Sequence, residues 1–142
     1  MKITFERLKV ITRQRIEFLD ITHEVQDRLL KHDIREGQFI LNSLHTTVAL
    51  FTSSFQKAGL EDLQAWLGYV VPEQGSYRHN DPRYSDCDRH NADAHLRAIL
   101  LGGSVILPLA DQAPILGPGQ RIILAEFDGP RERSIVLQVT GV

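Results

Sequence analysis

The chain has 142 residues, with 42% hydrophobic and 24% charged residues, a formal net charge of −2 and a single cysteine. One globular domain over residues 1–142 is the expectation, and disorder, collagen and coiled coil are excluded by the near-average composition. Without a basic excess, nucleic acid and anionic membrane are not expected partners.

Met1–Thr12 alternates loosely and predicts a strand. Arg15–Leu19 predicts a second, and the polar break at Arg13–Gln14 suggests a hairpin between them. Ile21, Val25 and Leu29 recur at helical spacing among charges, with Thr22 as N-cap, and Gly37 ends that unit. Gly37–Ser54 reads as two strands or one bent strand, broken near Ser43–Thr46. Val48–Phe51 and Ile122–Ala125 are apolar on both faces and call for more cover than three short helices easily supply. Leu60, Leu63, Leu67 and Val70 predict a helix stopped by Pro72.

Pro72–His90 is almost free of aliphatic residues and dense in Tyr, Arg, His, Asn and Asp. A loop this long in a compact domain is usually functional or disordered, and its tyrosines and cysteine argue against simple disorder. Asn91–Leu101 follows as a helix, with Asn91 at the N-cap and Gly102 beyond its end. Ser104–Ala110, Arg121–Phe127 and Ser134–Val139 read as strands separated by Gly-Pro-Gly at 117–119 and Asp-Gly-Pro at 128–130. The order of elements makes the fold class α+β, largely antiparallel, with about three helices.

The longest uncharged stretch, Gly37–Gln56, is polar through half its length and cannot span a bilayer. No charged n-region with an apolar h-region opens the chain, and Cys87 has no internal partner, so a reducing, cytoplasmic location is expected. Cys87 lies between Asp86 and Asp88, whose charge opposes thiolate formation.

Of six histidines, His23 and His32 read as solvated helix residues, and His90 as structural or exposed. His45 falls where a strand pattern breaks, His79 lies in the polar loop, and His95 stands one turn into a helix, where neutral imidazole is favoured. Converging, these three would form an open zinc site, with nearby aspartates orienting the rings. Their gaps of 34 and 16 residues match no compact zinc signature, and a polar loop satisfying backbone groups fits the spacing as well. Arg78, Arg83, Arg89, Arg97, Arg131 and Arg133 could capture phosphate beside a helix start, or form surface ion pairs with the aspartates.

His45-Thr46-Thr47-Val48-Ala49-Leu50, Val71-Pro72-Glu73, Tyr77-Arg78-His79-Asn80-Asp81, Asn91-Ala92-Asp93-Ala94-His95-Leu96-Arg97-Ala98 and Glu126-Phe127-Asp128-Gly129-Pro130-Arg131 together resemble the YjbQ-like family, often labelled secondary thiamine-phosphate synthase. The resemblance runs from about Phe5 to Val139. It implies a compact α+β fold, a homotrimer, and a metal or anion site formed by His45, His79 and His95 near a subunit boundary. It further implies joining of a pyrimidine-methyl pyrophosphate to a thiazole phosphate. On that reading the three histidines hold a divalent metal, zinc first and magnesium with a pyrophosphate substrate. Arg78, Arg97 and Arg131 contact phosphate oxygens, and Asp81 or Asp93 orients a histidine.

Two departures count against turnover. Relatives commonly carry Asn-Glu where this chain has Ser53-Ser54, and Gly-x-Trp-Gln where it has Gly117-Pro118-Gly119-Gln120. A trimeric metal- or anion-binding module without turnover is therefore the alternative to the enzyme.

Overall fold

In the computed structural model, which describes residues 1–142, paired strands pass from one sheet to another, and this decides the architecture. Strands β1 (Lys2–Ile11), β3 (Gly37–Ser43), β5 (Ser104–Ala110), β6 (Ala113–Pro114) and β8 (Glu132–Gly141) form a five-stranded antiparallel sheet in the order β1-β8-β3-β5-β6. Strands β2 (Glu17–Asp20), β4 (Val48–Ser54) and β7 (Gln120–Glu126) form a second, in the order β2-β7-β4. The expected hairpin at Arg13–Gln14 does not form. β2 pairs with β7, Glu17 opposite Glu126, while β1 pairs with β8, Ile11 opposite Glu132. The β1–β2 ribbon crosses between sheets alongside β8–β7, tied by Thr12 N–H donating to Arg131 O and Gly129 N–H donating to Arg15 O. A side chain at Gly129 would collide with the Gln14 carbonyl oxygen, so only glycine lets the two ribbons approach there.

The small sheet is the middle layer, which accounts for strands apolar on both faces. Val48, Leu50, Ile122 and Leu124 pack into the core shared with Phe39, Leu137 and the rest of the large sheet. Ala49 and Ala125 face the other way, against Leu67, Ala94, Ala98 and Phe127. Alanines on both partners let helix α3 (Ala92–Leu101) lie close on the sheet beside α2 (Lys57–Val70). The cover that Val48–Phe51 and Ile122–Ala125 require is thus supplied within one chain.

Helix α1 (Thr22–Leu29) closes the far end with Val25 and Leu29 fully buried. Thr22 is its first helical residue rather than its cap. The Asp20 carboxylate accepts from both the Thr22 N–H (3.0 Å) and its hydroxyl (2.6 Å), and from Arg121 Nε (2.7 Å). His32 is not solvated as expected. Its ring is held between Thr4 Oγ1 and Glu6 Oε1, each at 3.0 Å.

The run Pro72–His90 contains only a 3-10 turn at Arg78–Asn80 and spans from α2 to α3. It supplies the cap that Asn91 does not: Asn80 Oδ1 accepts the Ala92 N–H at 3.1 Å. No helix is long and apolar enough to cross a membrane. Trp66, Tyr69, Leu96, Ile99 and Leu100 stand exposed on α2 and α3.

Candidate anion site

Two strand connections and the start of β8 lie at the same end of the molecule, and the candidate site is built from them. The β3–β4 connection carries His45, Thr46 and Thr47; the β7–β8 connection carries Asp128 and Arg131; Arg133 is the second residue of β8. They are laced together by backbone bonds, with Leu44 N–H donating to Ser134 O and Phe127 N–H to Thr47 O. The start of α3 completes a cavity of 230 Å³ with Arg89, Asn91 and His95 on its wall.

The floor is a sealed ion pair. Glu126 is 0% and Arg133 2% exposed. Arg133 donates from Nε and Nη2 to the two Glu126 oxygens and from Nη2 to Thr47 Oγ1 (2.9 Å). Thr12 Oγ1 (2.7 Å) and the Asp128 N–H (3.1 Å) donate to the same carboxylate. Burial alone would raise the Glu126 pKa, but these bonds and the Arg133 charge outweigh it and hold the carboxyl below its ordinary value.

Above that floor the charges are unequal. Asp128 accepts from Arg89 Nε (3.0 Å) and Asn91 Nδ2 (2.8 Å), with Arg131 at 3.8 Å. Two half-exposed guanidiniums thus share one buried carboxylate, leaving an excess positive charge at the mouth of the cavity. The N-terminus of α3 adds its partial positive charge.

The site histidines are brought to this end but do not all face one point. The His79 and His95 rings lie 4.9 Å apart, and His79 Nδ1 is 3.4 Å from Asn80 Oδ1. His95 borders the 230 Å³ cavity with His45, and two mainly apolar cavities as well. One, of 360 Å³, lies beside Tyr77, His79 and Leu96; the other, of 350 Å³, lies beside Val48, Ala98 and Ile99. His45 Nε2 accepts the Ser134 N–H at 2.8 Å. Burial and the guanidiniums of Arg133 and Arg131 lower the His45 pKa against the opposing pull of Glu126, so the ring is held neutral.

This arrangement does not fit the three-histidine metal set. No group of three His, Cys, Asp or Glu side chains is placed to hold a metal ion. A neutral imidazole whose Nε2 lone pair is given to an amide carries its proton on Nδ1 and has no lone pair left for a metal.

Other expected site residues have different partners. Arg97, expected on phosphate, is 4% exposed and donates from Nε and Nη2 to Val71 O (3.1 and 2.9 Å), fastening α3 to the end of α2. Arg78 stacks 5.0 Å over the Tyr84 ring and borders the His79 cavity, away from Arg131. Asp81 is paired with Arg83 rather than with a histidine, and Asp93 Oδ1 accepts from Arg15 at 3.3 Å while its buried Oδ2 has no partner. Of the three expected phosphate arginines, only Arg131 borders the 230 Å³ cavity. Ser54 ends β4 opposite Gln120, whereas Thr47 precedes its start. The six steps of strand from Val48 to Ser54 span roughly 20 Å, so the missing carboxylate at position 54 is remote from the site within one chain.

Glu126 and Asp128 received no assigned role in the sequence, Arg89 and Arg133 were placed only in the wider arginine set, and Asn91 only at a helix cap, although all lie in or beside the quoted motifs. The signal that could have found them is charge density: Glu126–Ser134 packs three acids and two arginines around one turn.

The comparisons agree with this architecture. The family model described as "UPF0047 protein YjbQ-like" matches residues 6–142. A UPF0047 protein of Methanothermobacter thermautotrophicus is 38% identical over 141 residues, covering 99% of this chain and 94% of that protein. One from Archaeoglobus fulgidus is 37% identical over 131 residues, 92% of this chain and 97% of its own. Among solved structures, a YbjQ-like protein of unknown function from Sulfolobus solfataricus superposes with a TM-score of 0.90 at 30% identity, covering 99% of both chains. A hypothetical protein from Aeropyrum pernix gives 0.87 at 29% identity, covering 98% of this chain and 99% of that one. With a single compact domain of three helices and antiparallel sheets matched along nearly its whole length, this chain belongs to the YjbQ-like UPF0047 family.

Proposed function

We propose that the chain binds the phosphate or pyrophosphate of a small metabolite in the 230 Å³ cavity and acts as a transferase resembling secondary thiamine-phosphate synthase. The observation that carries this reading is the excess charge of Arg89 and Arg131 over Asp128, set beside His45, His95 and a helix start. In the reaction the resemblance implies, a thiazole nitrogen attacks the methylene carbon of a pyrimidine-methyl pyrophosphate. The C–N bond forms as the C–O bond breaks, and pyrophosphate leaves with the electron pair. Arg131 and Arg89 are suited to neutralise that leaving group, which is where charge accumulates. The apolar cavity beside Tyr77 and His79 suits the ring that carries the pyrophosphate. A magnesium ion would enter as part of the pyrophosphate substrate.

The working unit is a homotrimer in the cytoplasm. Exposed Trp66, Leu96 and Ile99, the last on the wall of a cavity shared with His45 and His95, support burial of this face by a second copy. The single cysteine supports a reducing compartment.

A binding module without turnover is the second reading. No carboxylate bonds His45, His79 or His95, so none of them has the partner that usually fixes and strengthens a catalytic base. The test is calorimetric titration of pyrophosphate, followed by assay of thiamine phosphate formation. Binding with turnover supports the enzyme, binding alone supports the module, and no binding removes both.

A further inference from the structure

The connection carrying His45 is over-determined. Ser43 Oγ accepts the His45 N–H at 3.1 Å and donates to the His45 carbonyl at 3.2 Å. One residue away, Leu44 N–H donates to Ser134 O at 3.2 Å. The return bond from Ser134 N–H to His45 Nε2, at 2.8 Å, then clamps the ring to the start of strand β8. A backbone amide donates and cannot accept. Placing a proton on Nε2 would set two donors against each other and leave a buried-side amide unpaired. Nδ1 is the ring atom left over, it makes no hydrogen bond within the chain, and the ring borders the cavity that Arg131 and Arg89 also border.

We infer that His45 presents a fixed, uncharged Nδ1–H donor to this cavity, so that it receives an oxygen of the bound anion and is neither a metal ligand nor a base. The donor role rests on the anion reading above for its ligand. The tautomer does not. A preorganised neutral donor is matched to phosphate oxygens and adds direction to the less directional pull of the arginines. The charged groups facing the ring are Arg131, Arg133 and Glu126; burial first, and then the two guanidiniums against the pull of Glu126, disfavour a second proton.

The experiment is long-range proton–nitrogen NMR on full-length protein labelled with ¹⁵N-histidine at pH 7, with His45 assigned from the spectrum of His45→Asn. Free imidazole side chains favour the Nε2–H form. A protonated Nδ1 with a bare Nε2, unmoved by Zn²⁺, is the expected result. An Nε2–H ring, an imidazolium, or a Zn²⁺-induced shift of either His45 nitrogen would overturn the inference.

Pyrophosphate is then titrated. The Nδ1–H signal should move. His45→Ala should weaken binding about tenfold or more, and His45→Asn, whose amide N–H stands near the Nδ1 position, should stay within about threefold of wild type. Circular dichroism confirms that both variants fold. Wild-type binding with a motionless Nδ1–H and an unaffected alanine variant would overturn the donor. Failure of wild type to bind pyrophosphate, with the Nδ1–H tautomer observed, supports the fixed donor and overturns only the anion reading.

Discussion

Glu126 and Asp128 stand two residues apart on one turn, yet they live in opposite regimes. Glu126 is wholly enclosed and saturated by Arg133, Thr12 and the Asp128 amide. Asp128 is nearly as buried, but its arginines are not: the Arg89 and Arg131 side chains are 47% and 38% exposed. The inner pair is matched in charge, and although Arg133 borders the cavity, its Nε and Nη2 donors are already engaged by Glu126 and Thr47. The outer group is mismatched by one charge, and its arginines can swing toward one. One motif thus holds a matched, enclosed acid and a mismatched one with accessible arginines, and substitutions can test whether stability and binding divide along that line.

Breaking the inner pair should have the largest effect. Arg133→Met leaves a buried, unpaired carboxylate and should cost about 3–5 kcal/mol of stability, measured by urea unfolding. The same pair predicts an acid response. Because the folded pKa of Glu126 lies below its ordinary 4.5, its stabilisation is complete above pH 4.5 and is lost as pH falls through the folded value. Thermal melts of wild type should therefore be flat down to about pH 5 and fall below it, with a shallower fall in Arg133→Met.

Arg97→Met comes next. It removes two charge-assisted bonds to Val71 O and should destabilise by about 1.5–3 kcal/mol. Pyrophosphate affinity should stay unchanged, and a tenfold loss of affinity in a folded variant would restore the phosphate role that the sequence suggested.

On the outer side the pattern reverses. Arg131→Ala should change stability by no more than about 1 kcal/mol, since its ion pair is half-exposed. It should weaken pyrophosphate binding about tenfold, and more at low than at high salt. A large loss of stability instead would put Arg131 with Arg133. The smallest effect belongs to Ser54→Glu, which should alter stability by less than about 0.5 kcal/mol and leave pyrophosphate affinity as it was.

Helical and strand periodicity made most elements legible, because spacing reports which face is buried. Leu60, Leu63 and Leu67 announced α2, and Pro72 its end. The α+β class and the motif-bearing loops followed from the order of elements. Strand partnership did not, because periodicity says nothing about which strand lies alongside. The polar break at Arg13–Gln14 looks like a hairpin turn and is instead the crossing from one sheet to the other. The doubly apolar strands were legible, but not what covers them: they are the middle of three layers.

The same boundary runs through the site. That His45, His79 and His95 belong to one end of the molecule was implied by the family motifs that carry them, two in polar connections and one a turn into a helix, and not by their spacing. What each ring nitrogen does could not. The partner of His45 is the Ser134 amide, a backbone group that every non-proline residue possesses and that leaves no trace in side-chain pattern. Arg97 and Arg131 are the same residue type in equally suggestive motifs. One is turned inward onto a carbonyl and the other outward to a cavity because helix phase and a strand crossing aim them so. Local pattern determines which face of an element is buried, since that depends on spacing along one segment. The role of each polar atom is decided by donors and acceptors from distant segments, and those meet only when the sheets close.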